Sequence, residues 1–145
     1  MVISIRRSRH DEGDKLIAIW CRSVDATHDF LSKAYRAELE KLVCSFLPEA
    51  PLWVAVTEWD EPVGFMLLTG EHMDALFVEP DVRGCGVGKL LVEHALTLAP
   101  GLTTNVNEQN EQAVGFYKKM GFKVTGRSEV DDPGKPYPLL NLLKE

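Results

Sequence analysis

The chain is poor in the residues that build metal or disulfide frameworks. Its 145 residues hold three cysteines, Cys21, Cys44 and Cys85. An odd count at these separations matches neither a zinc-ligand spacing nor a set of paired bridges. Cys21 and Cys44 fall in amphipathic stretches and read as small buried apolar residues. Also missing is any apolar run of membrane-spanning length. Residues 1–14 are charged and carry no apolar core of a secretory leader. No low-complexity linker and no internal repeat interrupts the sequence. Basic residues are outnumbered, 16 Lys and Arg against 22 Asp and Glu, for a net charge of −6. A nucleic-acid binder normally carries a basic face, so this balance argues against one. It mildly favours a cationic partner such as an amine, although a solvated surface accounts for most charge of this kind.

What is present is ordinary for a folded protein: 45% hydrophobic and 26% charged residues. The length suits one domain spanning residues 1–145 with a real core. The expectation is a cytoplasmic, reduced protein, monomer or homodimer, without a membrane or nucleic-acid partner.

Periodicity orders the elements. Val2 to Arg6 alternates like a strand. Ser8 reads as the cap of a helix running to about Val24, with Asp11 and Glu12 in its first turn. Ser32 caps a second helix to about Phe46, ended by Pro48. Leu52 to Glu58 and Pro62 to Leu68 form a hairpin, and Glu71 to Val78 is a further strand. A helix follows with Val87, Leu91, Ala95 and Leu98 on one stripe. Leu102 to Asn107 is a strand. The next helix carries Ala113, Phe116, Tyr117 and Met120 and is closed by Gly121. Phe122 to Val130 and Pro138 to Leu143 complete an α/β chain with a mixed sheet.

Between the strand ending at Val78 and the helix after it lies Arg83-Gly84-Cys85-Gly86-Val87-Gly88-Lys89. A glycine turn opening a helix presents backbone N–H groups that the helix cannot satisfy, and these suit a phosphate. The spacing is not a Walker loop, because Arg83 stands at the first glycine and Leu90 at the hydroxyl. It is not a dinucleotide fingerprint either, because Lys89 stands at the third glycine. What remains is R-x-x-G-x-G, with Arg83, Gly86 and Gly88; a ligand-free tight turn stays the alternative. Cys85 lies near a helix N-terminus, where a thiol becomes more acidic, but a side chain in such a loop usually points away from the anion.

Downstream, Asn110, Ala113, Phe116-Tyr117 and Gly121-Phe122 complete N-x-x-A-x-x-F-Y-x-x-x-G-F. With these two motifs the chain resembles the Gcn5-related N-acetyltransferases (GNAT) over nearly its whole length. The resemblance implies a GNAT-like, mostly antiparallel mixed sheet with about four helices, whose central strands splay apart to admit the pantetheine arm. It implies acetyl-CoA as donor, held by Arg83, Gly84, Cys85, Gly86, Val87, Gly88, Lys89 and Asn110, with an oxyanion donor among the backbone N–H groups of Phe77 or Val78. It implies a primary-amine acceptor, protein lysines first. Polyamines, amino acids or aminoglycosides are the runner-up, and a non-catalytic acyl-CoA sensor is a third reading.

Acyl transfer to an amine needs positioning, a stabilised oxyanion, a base for the ammonium and a proton for the thiolate. Tyr117 occupies the family's acid position, since a phenol of pKa ~10 is protonated at neutral pH; a core aromatic is the alternative. Asn110 contacts cofactor in the family and reads equally as a helix N-cap. His72 and Asp74, two apart on a strand and so on one face, are candidate bases or a structural pair. Asn105 interrupts an apolar strand and is a candidate contact for acceptor or pantetheine, or equally a satisfied polar residue near the strand end. His28 and Phe30, between the first two helices, are candidate acceptor-side residues. No metal arrangement is visible and the chemistry requires none.

Overall fold

A computed structural model describes residues 2–145. The strands are β1 (Ser4–Arg7), β2 (Trp53–Val56), β3 (Pro62–Thr69), β4 (His72–Val78), β5 (Thr103–Asn107), β6 (Phe122–Ser128) and β7 (Leu139–Lys144). The helices are α1 (Gly13–Thr27), α2 (Lys33–Phe46), α3 (Val87–Leu98) and α4 (Glu111–Lys119). The strands form one sheet in the order β1-β2-β3-β4-β5-β7-β6. All neighbours are antiparallel except β4 and β5. This is the mixed, mostly antiparallel sheet with four helices that the motifs imply.

Alternation on the strands divides the core in two. One face packs Met66, Met73 and Leu142 against Leu91 and Val92 of α3 and Tyr117 of α4. The other packs Val54 and Phe65 against Leu16, Ile19 and Trp20 of α1. Burying a side chain of this size stabilises by roughly 1.5–3 kcal/mol, so both helix layers are held chiefly by these contacts.

Several local expectations shift. Ser8 does not cap α1. A 3-10 turn, His10–Glu12, precedes that helix, and Glu12 accepts from the Arg9 backbone N–H at 2.9 Å. The Glu12 carboxylate is buried and doubly paired with Arg6, at 2.9 and 2.5 Å. Ser32 does cap α2, its hydroxyl accepting from the Tyr35 N–H at 3.1 Å. Cys44 is exposed, because α2 turns Tyr35 and Val43 inward and Cys44 falls outside that stripe. On α3 Leu98 is 53% exposed and Val92 takes a core position. The chain leaves the helix at Ala99, which is buried instead.

Two departures from regular pairing create the site. The parallel ladder between β4 and β5 has two pairs, His72 with Thr103 and Met73 with Thr104. Beyond them β4 stays paired with β3 up to Val78, while β5 pairs with β7 up to Asn107. The two central strands therefore splay. The second departure is a bulge: Ala75 faces Leu67 and Met73 faces Leu68, which leaves Asp74 unpaired. His72 and Asp74 nevertheless keep to one face, as their spacing predicts, with Nε2 and Oδ1 3.9 Å apart.

Candidate functional site

The glycine turn builds one end of the site. Gly84 and Gly86 have φ of +80° and +84°, a region that side-chain-bearing residues occupy only with strain. Gly88 faces the Phe116 ring of α4, which a Cβ there would meet at 3.4 Å, an ordinary contact distance. Gly86 caps α3 without any side-chain acceptor. The first N–H groups of that helix thus point out unsatisfied, at the positive end of its dipole. Beside them Arg83 donates from Nη1 to Gln112 Oε1 at 3.3 Å, while its Nη2 is buried without a partner. Among the described residues that unpaired state is shared by one other buried side-chain atom, Nε2 of His94.

From this turn a cavity of about 550 Å³ runs into the splay. Arg83, Gly84, Gly86, Val87, Gly88, Lys89 and Asn110 line it, with Phe77, Val78 and Tyr117 further in. Cys85 does not line it and is exposed. Asn110 caps α4, accepting from the Ala113 N–H at 3.3 Å. Gln112 and Lys119 also line this cavity. Neither residue type carries a periodicity or motif signal, so the sequence offers nothing to single them out.

Of the two candidate backbone donors, one is already engaged. Glu79 N–H donates to Val63 O at 2.8 Å, opposite in register. Antiparallel bonding alternates, so Phe77 N–H also faces β3 and Val78 N–H faces the gap.

Tyr117 sits where the splay meets α4. Its side chain belongs to the core, 6% exposed, edge-on to Phe116 and Phe122 at 5.2 and 5.4 Å. It also lines the cavity. Burial holds its hydroxyl well above the ordinary phenol pKa, with neighbouring Thr104 pulling partly the other way. Thr104 itself donates to Met73 O at 2.8 Å.

A second, more polar cavity of about 280 Å³ opens on the α1 side of the splay. His72, Asp74, Asn105, Asn107 and Asp132 line it. His72 Nδ1 contacts Thr103 Oγ1 at 2.7 Å, and Asp74 accepts from the Thr69 hydroxyl. His72 Nε2 and Asp74 Oδ1 are 3.9 Å apart. His28 and Tyr117 border both cavities. Phe30 borders neither and stands between the rings of His28 and Tyr137, at 5.3 and 6.1 Å. Tyr137 stacks on Tyr35 at 5.1 Å, and the Tyr35 hydroxyl donates to Asp131. The β6–β7 connection, whose Asp132 lines the second cavity, is thereby tied to α2. Neither tyrosine lies in a recognisable motif, so this tie is invisible in the sequence. No three His, Cys, Asp or Glu side chains gather as metal ligands among the described residues.

Residues 48–124 match the GNAT acetyltransferase domain. Along its whole length the chain is similar to two bacterial proteins named peptidyl-lysine N-acetyltransferase YjaB. It is 87% identical to that of Salmonella typhimurium, over 99% of each chain. It is 84% identical to that of Escherichia coli, over 98% of this chain and 97% of the relative. The chain belongs to the GNAT acetyltransferase family. The solution structure of apo-form YjaB from Escherichia coli superposes with a TM-score of 0.96 at 83% identity, covering 99% of this chain and 97% of that one. A PaiA N-acetyltransferase from Thermoplasma acidophilum, solved in complex with coenzyme A, shares the fold at a TM-score of 0.80 and 19% identity, over 100% and 99% of the two chains.

As a GNAT enzyme the protein is an acetyl-CoA-dependent N-acetyltransferase. Its residues fit the donor. The uncapped start of α3, two positive-φ glycines and a buried, unpaired guanidinium nitrogen converge at one cavity mouth. A pyrophosphate supplies the acceptor oxygens that all of them lack.

Proposed function

We propose that this GNAT enzyme acetylates lysine side chains of proteins. The observation that carries the proposal is the polar second cavity meeting the donor cavity at the splay, beside Tyr117. The acidic Asp74 and Asp132 on its wall suit a cationic acceptor. The names of the two full-length relatives point the same way.

In this reading the Arg83–Lys89 turn holds the pyrophosphate, and Asn110 borders the pantetheine path. Acetyl-CoA supplies the activated acetyl group. Val78 N–H, free of the ladder, is the donor for the carbonyl oxygen as it gains charge. Tyr117 gives its hydroxyl proton to the departing thiolate, and burial keeps that proton in place at neutral pH. Asn105 and Asn107 offer hydrogen bonds to the incoming side chain, and Asp74 with His72 forms the polar end of its cavity.

The test is an acceptor panel with acetyl-CoA, following thiol release. It compares folded proteins and lysine peptides with polyamines, amino acids and aminoglycosides. Acetylation of protein lysines well above the uncatalysed background, located by mass spectrometry, is expected. Turnover confined to the small amines would replace the lysine reading with a small-molecule one.

A further inference from the structure

We propose that His28 is the catalytic base, taking the acceptor's ammonium proton on its Nε2 atom. The proposal rests on the amine-acetylation reading and adds the residue that deprotonates the amine.

Hydrogen bonding fixes the tautomer. Thr27 Oγ1 donates its single proton to the Ser23 carbonyl at 2.7 Å. The same oxygen lies 2.7 Å from His28 Nδ1. A carbonyl can only accept, so Thr27 must accept from Nδ1–H. Nδ1 therefore carries the proton and Nε2 is left with the lone pair. The backbone holds the ring in place: His28 ends α1, its N–H donating to Val24 O at 2.8 Å. Phe30 packs against one side of the imidazole.

Position separates His28 from the other candidates. It borders both cavities, as Tyr117 and Phe77 do. His72 and Asp74 border only the second. They lie at the closed end of the splay, where β4 and β5 are still paired. A base must reach the amine as it meets the thioester, and that junction is where His28 stands.

The surroundings match the task. Burial pushes the imidazole pKa below its ordinary value, so the ring is neutral at neutral pH. The Asn107 side chain and the Asp29 carboxylate favour the protonated ring and oppose that shift. From the facing elements, His72, Asp74 and Asp132 share the second cavity and Tyr117 shares both. Protons balance as follows. The ammonium gives up two. One goes to His28 Nε2 and on to solvent, and the other restores the Tyr117 phenol after it has protonated the thiolate. A C–N bond forms and the C–S bond breaks.

The experiment compares wild type with His28→Gln from about pH 6.5 to pH 10, a range that starts near the ordinary imidazole pKa and approaches that of the amine. The acceptor is a lysine peptide, or whichever small amine the wild type turns over if it leaves the peptide untouched. That first comparison reads the lysine proposal; the variant-to-wild-type ratio reads His28 on either acceptor. At pH 7 kcat/KM should fall roughly 10²-fold or more. The deficit should shrink as pH rises toward the amine's ~10.4. Acetyl-CoA affinity by calorimetry should be unchanged. Nitrogen-15 NMR of the wild-type His28 ring should show Nδ1–H, whatever the variant's folding. A variant within about three-fold of wild type at all pH values would overturn the proposal. So would a deficit independent of pH, an equal loss of acetyl-CoA affinity, or an Nε2–H ring.

Discussion

Replacing Tyr117 with phenylalanine removes one oxygen and keeps the ring. The ring is core: it touches Phe116 and Phe122 and is 6% exposed. Its loss is what would unfold the domain, since truncating an aromatic of this size to alanine destabilises by about 3–5 kcal/mol. The hydroxyl contributes far less to stability. Thr104, its polar neighbour, keeps a bond to Met73 O at 2.8 Å in either case. Losing the phenol's own hydrogen bond costs about 1 kcal/mol, a shift of a few degrees in Tm. Catalysis should respond on another scale. If the phenol protonates the leaving thiolate, its absence lowers kcat by roughly 10²- to 10⁴-fold, or about 3–5 kcal/mol of barrier. Acetyl-CoA affinity should barely move, because the proton is needed only in the transition state. The pH profile adds a sign. Burial raises the hydroxyl's pKa, so its ionisation should produce no loss of rate below about pH 10. The assay is single-turnover acetylation with calorimetric acetyl-CoA affinity and a melting curve for Tyr117→Phe. A well-folded variant turning over within a few-fold of wild type would refute the acid role and leave a core aromatic.

Three further outcomes are expected. Gly86→Val forces a β-branched residue to φ +84° and should abolish acetyl-CoA binding while the fold persists, which calorimetry and circular dichroism check together. Arg83→Gln should weaken CoA by about ten-fold or more, because a charge-assisted contact to phosphate is lost, and should weaken dephosphorylated pantetheine hardly at all. Glu12→Gln breaks the buried pair with Arg6 and should destabilise by about 3 kcal/mol in denaturant titration. Arg6 holds the Glu12 carboxylate below its ordinary pKa of 4.5. Its contribution is therefore present in full above that value, falls as pH drops through the folded pKa, and should be missing from the variant's acid-unfolding curve.

The parts of the site legible in the sequence are those whose chemistry is local. Arg83 to Gly88 announces itself because positive φ at Gly84 and Gly86 requires glycine at fixed offsets. Ser32 announces a cap because its hydroxyl bonds three residues ahead. What stays hidden is relational. The bulge at Asp74 depends on how β3 and β4 register, and nothing within His72–Val78 encodes it. The Ser8 expectation fails for a similar reason. Glu12 is claimed by Arg6, a residue before the turn, and that pairing decides where α1 starts. The tie from Tyr35 to Tyr137 spans most of the chain and has no short-range trace. Asn107 and Asp132 become site residues only once β5 and the β6–β7 connection are placed beside α1.

Why the site should lie at a splay follows from hydrogen-bond accounting. Beyond Met73 the β5-facing edge of β4 has no strand partner, and from Asn105 to Asn107 β5 is paired with β7 alone. Interior sheet positions rarely leave backbone donors and acceptors unpaired, because each unmet group costs about 1–3 kcal/mol when buried. Here those groups border open cavities, where solvent or a ligand can reach them. An extended amide-bearing arm can satisfy them by pairing with the strand edge, as a further strand would. The same gap leaves Val78 N–H facing away from β3, which is why the proposed reading makes it the oxyanion donor. A base and an acid then need only reach one point from opposite walls. In the proposed reading Tyr117 does so from α4, with a proton to give, and His28 from the end of α1, with the Nε2 lone pair to take one; both border the two cavities. In the proposed reading, closing the splay with further β4–β5 pairing would remove the binding edge, the oxyanion donor and the meeting point together.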